Sequence, residues 1–127
     1  MHIHPDLPHL KEGAAAAHTP ASAAWVDGRN ASIGYLRMAA GTFSNPHFHD
    51  EEQFLYITKG RARVAVEGEV AEAGPGALLH FPPRAVHEVM ALGEPLEFVL
   101  SLNPARAGGK VSAYEATGEK ARSLLRG

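Results

Sequence analysis

The chain has 127 residues and a mass of 13.5 kDa, which allows one compact domain, read as a single unit over 1–127. A net charge of −2 and a pI near 6.4 argue against a nucleic-acid partner, since no basic stripe exists. No apolar run approaches the roughly 18 residues of a membrane span, and the polar start MHIHPDLPH is not a secretory signal, so the expected compartment is the cytoplasm. The absence of cysteine removes disulfides, thiolate metal sites and a cysteine nucleophile. Eight histidines in so short a chain stand out, and any transition-metal site must combine imidazole with oxygen donors.

Residues 1–24 read as a polar, alanine-rich leader. Its histidines, His2, His4, His9 and His18, are expected to have no role unless the leader folds over a barrel mouth. A barrel is expected over 31–102. The first strong β-type run is Ala31 to Ala39, stopped by Gly41, followed by Gln53 to Thr58 and Arg61 to Val66 about the turn Lys59-Gly60. Two short apolar runs separated by two turn residues predict a hairpin. Glu69 to Ala73 follows the turn Glu67-Gly68, and Ala77 to Phe81 lies between Gly74-Pro75-Gly76 and Pro82-Pro83-Arg84. Val86 to Leu92 and Leu96 to Leu102 flank Gly93-Glu94-Pro95 and predict another hairpin. About seven strands at short spacing, without room for crossover helices, point to an all-β antiparallel sandwich or barrel. The tail, 103–127, is expected to carry a short helix, with Ser112 and Glu115 as a capping box and Leu124-Leu125 as its apolar face.

The chemically informative stretch is Gly41-Thr-Phe-Ser-Asn-Pro-His47-Phe-His49-Asp-Glu-Glu-Gln53 through Gly60. Alternate residues of a strand share a face, so His47 and His49 point the same way with Cα atoms about 6.6 Å apart. Two imidazoles at that spacing can converge on one ion with metal–nitrogen bonds of about 2.1 Å. Gln53 would lie roughly 13 Å farther along a straight strand, so it can face the pair only if Asp50-Glu51-Glu52 bends the chain. Glu52 is the alternative oxygen donor if the bend differs by one residue. A third histidine, His87, follows the turn at Pro82 to Arg84 and can be brought across from the pair by a closed sheet.

These two stretches resemble the two motifs of the cupin superfamily, G-x5-H-x-H-x3–4-E-x6-G and G-x5-P-x-G-x2-H-x3-N. The match runs from residue 41 to residue 91 with its spacing intact. The resemblance implies the jelly-roll barrel of that family, a divalent metal near its mouth, and His47, His49 and His87 as ligands. Three positions depart from the motifs: Gln53 replaces the glutamate, Arg84 the second-motif glycine and Ala91 the closing asparagine. Glutamine is the fourth ligand in some cupins, which makes Gln53 a candidate through its amide oxygen.

The implied cofactor is one divalent transition metal: Zn, Fe, Ni or Mn. With three histidines and one glutamine the ligands are all neutral, so the ion keeps its +2 charge and is a stronger Lewis acid. The same lack of an anionic ligand disfavours oxidation of Fe(II). The expected function is therefore redox-neutral chemistry (isomerase, lyase or tautomerase) on a small oxygen-rich or carboxylated substrate. An Fe(II) dioxygenase and a non-catalytic binding barrel are the alternatives.

His80, if it and Leu78 face the cavity, is the candidate proton-transfer group. Arg37, Arg61, Arg63 and Arg84 are candidates for gripping an anionic substrate, Arg37 foremost because it shares a mixed strand face with Ile33 and Tyr35. Phe43, Phe48, Phe54, Tyr56, Phe81 and Phe98 are expected in the core or at a subunit contact. Exposed sheet edges and faces predict a homodimer.

Overall fold

The computed structural model describes residues 1–10, 13–16 and 18–125. In chain order the strands are β1 (Gly13–Ala16), β2 (Thr19–Asp27), β3 (Ser32–Met38), β4 (His47–His49), β5 (Glu52–Lys59), β6 (Ala62–Val66), β7 (Glu69–Ala73), β8 (Leu78–Phe81), β9 (His87–Ala91), β10 (Leu96–Asn103) and β11 (Ala113–Glu115). Single 3-10 turns lie at Leu7–His9 and Gly118–Ala121. The strands form two antiparallel sheets, ordered β1-β2-β3-β10-β5-β8 and β11-β4-β9-β6-β7. This is a jelly roll, the all-β class expected from the strand spacing.

Alternation of side chains builds the layer between the sheets. Along β10, Leu96, Phe98, Leu100 and Leu102 are buried while Glu97, Val99 and Ser101 are half-buried on the other face. Leu55 and Ile57 of β5 and Leu36 and Met38 of β3 join them from one sheet, and Val64, Val89 and Ala91 from the other, in one apolar cluster. All seven strands expected between 31 and 102 are present, each within one residue of its expected ends.

Four expectations about connections and termini are corrected. The turn at Lys59-Gly60 does not close a hairpin, because β5 pairs with β10 and β8 while β6 pairs with β7 and β9. The turn at Gly93-Glu94-Pro95 likewise joins β9 in one sheet to β10 in the other. Both are crossings between sheets, and they touch: Gly60 has φ +81°, and a Cβ there would lie 2.2 Å from the Pro95 carbonyl oxygen. The turn Glu67-Gly68, with φ of 45° and 90°, does close a hairpin, between β6 and β7.

The stretch read as a leader holds β1 and β2, with Ala21, Ala23 and Ala24 buried. The tail carries β11, paired with β4, in place of the expected helix, and Ser112 bonds Glu51 rather than capping anything. Alanine-rich and polar short strands lack the β-branched signature, and pairing with a neighbour overrides that weak propensity.

Gly60→Ala is expected to destabilise the fold by more than about 2 kcal/mol in urea unfolding, because it combines left-handed strain with a backbone collision. Gly68→Ala shares only the strain, since nothing lies within 4 Å, and should cost about 1 kcal/mol. Equal losses would contradict the account of the crossing.

Candidate metal centre

Strand parity turns His47 and His49 inward from β4, both buried, with Phe48 between them on the other face. His87 begins β9 and lies directly opposite His47 in the ladder. The two motifs are docked by a main-chain bond: the Arg84 N–H donates to the His49 carbonyl at 2.8 Å. Arg84 adopts φ +62°, a left-handed conformation that explains why the family motif carries glycine there. Its guanidinium pairs with Asp50 and lies 5.0 Å over the Phe48 ring.

Candidate ligand atoms of His47, His49 and His87 all lie within 4.8 Å of one another. Each ring is oriented by a main-chain carbonyl at its Nδ1: Asn45 at 2.6 Å for His47, Glu51 at 2.8 Å for His49 and Ala85 at 2.9 Å for His87. A carbonyl only accepts, so the proton of each neutral ring sits on Nδ1 and the lone pair on Nε2. The His87 Nε2 is buried with no hydrogen-bond partner among the described residues. The chain bends at Asp50-Glu51, and Gln53 at the start of β5 turns its Oε1 to within 2.8 Å of His49 Nε2. Two acceptors at that separation repel unless a cation lies beside both, and two cis ligands with bonds of about 2.1 Å stand about 3 Å apart. An orphaned imidazole nitrogen and a glutamine oxygen set against an imidazole lone pair fit a divalent ion. These donors could hold one.

Burial keeps His47, His87 and His18 neutral. It holds His47 down to about 2, with repulsion from His87 and His18 adding to the effect and the Asn45 carbonyl opposing it. It holds His87 to about 3 against the opposing Ala85 carbonyl. His18 is lowered to about 4, by burial first and by His49 second.

The cluster forms one end of a cavity of about 60 Å³ whose walls include Leu36, Met38, Leu55, Val89, Phe98 and Leu100. His18 also lines it, its ring 3.8 Å from that of His47, and its carbonyl accepts the Asn45 N–H at 2.9 Å. No role was expected for this residue, which lines the cavity from the turn before β2. Val111 of the tail lines it too, and the next residues hold the strand that carries the histidines. Ser112 donates its hydroxyl and main-chain N–H to the buried Glu51 carboxylate, and Tyr114 stacks on Phe48. Neither contact has a motif signature.

The other candidates lie elsewhere. His80 and Leu78 face outward on β8, where His80 bonds Glu52 at 2.7 Å and stacks on Phe54. The inward positions of that strand are Leu79 and Phe81, so the expectation that His80 faces the cavity is corrected by parity, and Glu52 is likewise no donor to the cluster. Arg37 is on the outer face of β3, donating to the Pro8 carbonyl at 2.6 Å and pairing with Glu97 at 3.5 Å. Its mixed face is the outer one, because Leu36 and Met38 take the inner positions. Arg63 pairs with Glu72 at 3.1 Å, and Arg61 is exposed.

A family profile described as the cupin domain matches residues 34–102, more than half of the chain. The chain belongs to the cupin family. Among curated relatives, the uncharacterized protein SCO3923 of Streptomyces coelicolor is 25% identical over 93 residues, 73% of this chain and 89% of that protein. Oxalate decarboxylase OxdC of Bacillus subtilis is 33% identical over 70 residues, 51% of this chain but 18% of the enzyme. A solved tryptophan-to-phenylalanine variant of that decarboxylase superposes with a TM-score of 0.72 at 23% identity, covering 94% of this chain and 34% of that one. The structure of the decarboxylase at pH 4.6 gives 0.71 at 22% identity, over 86% and 30%. The cupin thus spans about a third of the decarboxylase chain, and at these identities the superposition speaks for the fold alone.

Neutral buried histidines make the metal-stripped protein acid-sensitive. The unfolded chain protonates these rings near 6.5, the folded chain only at about 2 to 4, so below pH 6.5 the unfolded state binds more protons. Stability is complete above that pH and should fall by up to about 1.4 kcal/mol per pH unit per histidine as pH drops toward 4.5. Urea unfolding of chelator-treated protein checks this. Flat stability from pH 7 to 4.5 would contradict neutral burial.

Proposed function

We propose that His47, His49, His87 and Gln53 hold one divalent transition metal, and that this cupin is a small-molecule metalloenzyme of redox-neutral type: isomerase, lyase or tautomerase. The observation that supports the reading most strongly is the shared orientation of three imidazoles, each Nδ1 held by a carbonyl and each Nε2 left to the cluster. Bound to four uncharged donors, the ion would supply an undiminished dipositive Lewis acid for a substrate oxygen. The chain's own residues do the rest. The carbonyls of Asn45, Glu51 and Ala85 fix the rings, and the buried Glu51 carboxylate, 3.6 Å from His49 Nδ1, favours electron donation from that ring. The apolar walls lower the local polarity, which strengthens electrostatic interactions inside. Zn, Fe, Ni and Mn all suit such donors, and availability selects among them.

Purified protein should carry about one divalent ion per chain by elemental analysis. His49→Ala should abolish this content, and Gln53→Ala should lower affinity at least about tenfold, since losing a ligand costs no less than losing a partner that only orients one. Unchanged content in both variants would remove the proposal. Substrate-dependent oxygen uptake by the iron form would favour the dioxygenase alternative instead.

The homodimer belongs to the same reading. Ile33, Phe54, Tyr56 and Leu78 are exposed on the outer face of the six-stranded sheet, an apolar surface that a second copy can cover. Light scattering should return twice the 13.5 kDa chain mass, and Tyr56→Lys should shift it toward the monomer. A monomer in the unsubstituted protein would contradict it.

A further inference from the structure

We infer that Trp25 is the substrate-orienting hydrogen-bond donor of the metal cavity, and that the molecule taken there is compact, with an oxygen head at the ion and a hydrocarbon body. This deepens the metal-centre reading and rests on it. The first support is the wall. Among the described residues that line the cavity none is Lys, Arg, Asp or Glu, and the surface is dominated by aliphatic and aromatic side chains. Any ligand oxygen out of reach of both the ion and the wall's few polar groups would be buried there without a partner, a penalty of about 1–3 kcal/mol on protein scales.

The second support is how the wall's polar groups are used. His47, His49, His87 and Gln53 form the cluster. The Ser44 hydroxyl accepts the Val89 N–H at 2.9 Å, and the Thr19 hydroxyl accepts the Ala21 N–H at 3.2 Å. Trp25 differs. Its Nε1 is buried with no acceptor among the described residues, and an indole nitrogen can only donate. Trp25 lines the cavity, and the acceptor assigned to its orphaned donor is the occupant.

The third support is the frame that holds the ring. Trp25 sits on β2 opposite Gly34, and a Cβ on Gly34 would lie 2.8 Å from the indole, so the ring occupies the space a side chain would fill. The Arg106 guanidinium lies 4.3 Å from the ring centroid. Arg106 is itself clamped by Asp27, at 2.9 and 2.7 Å, and its main-chain N–H donates to Ser32, whose hydroxyl donates to Asp27. A donor fixed in this way costs little to organise when a ligand arrives. Arg37 and His80, the residues expected to handle substrate, leave this task open by facing outward.

Trp25 is the single tryptophan of the chain, so its indole N–H gives one resonance in a nitrogen-15 correlation spectrum. The zinc-loaded full chain is titrated with isobutyrate, glycolate and oxalate. Isobutyrate should move that resonance downfield and bind about tenfold more tightly than the other two, the effect of burying two methyl groups. Trp25→Phe should weaken isobutyrate several-fold by calorimetry while zinc stoichiometry stays unchanged. Glycolate or oxalate binding as tightly, isobutyrate binding without the indole shift, or no binding at millimolar concentration with zinc retained would each overturn this inference alone. Failure to retain zinc would overturn the metal-centre reading and this inference with it. If Trp25→Phe does not fold, the indole shift of the unsubstituted protein decides.

Discussion

The bond from an imidazole Nδ1–H to a main-chain carbonyl, made at His47, His49 and His87, is the constraint from which the rest of the site follows. A free neutral imidazole divides its proton between two nitrogens and rotates. Once Nδ1 is committed to a carbonyl, the ring has one tautomer and one direction, and Nε2 is left as a lone pair. At His47 and His87 burial adds the second half by disfavouring the protonated ring, so those side chains rest in the state that binds a cation. The His87 Nε2, without a partner among the described residues, is the visible residue of that arrangement.

The cluster also lies where the two sheets meet. His47, His49 and His87 come from the five-stranded sheet and Gln53 from the six-stranded one, so a shared cation would tie the layers together. Main-chain contacts already prepare this junction. Arg84 reaches the His49 carbonyl, the turn before β2 reaches Asn45, and Ser112 holds Glu51 from the tail. His18 and Val111 line the cavity beside the cluster, and most of its remaining walls are hydrocarbon. Chemistry and packing thus share residues at one place.

Much of this was legible in the sequence because it depends on period and spacing. The separation of His47 and His49 fixes a shared face, glycines and prolines mark the ends of the central strands, and the second motif sets His87 after a turn. Parity also limits what a one-dimensional reading can do. Whether His80 or Leu79 faces inward depends on register against β5, which no local signal sets, and the same ambiguity placed Arg37 on the wrong side of β3. Turn residues announce that the chain changes direction but not which sheet it joins next, hence the misread crossings at Gly60 and Pro95. His18, Trp25 and Ser112 gain their importance from contacts with distant residues, and those separations leave no trace in composition.

The central claim is that three imidazoles and the Gln53 oxygen share one ion. X-ray absorption at the zinc edge of the loaded protein measures this most directly. The account predicts a first shell of nitrogen and oxygen at about 2.0–2.1 Å, with the outer-ring scattering of three imidazoles. Two or fewer imidazoles, or a spectrum identical to that of Gln53→Ala, would contradict it.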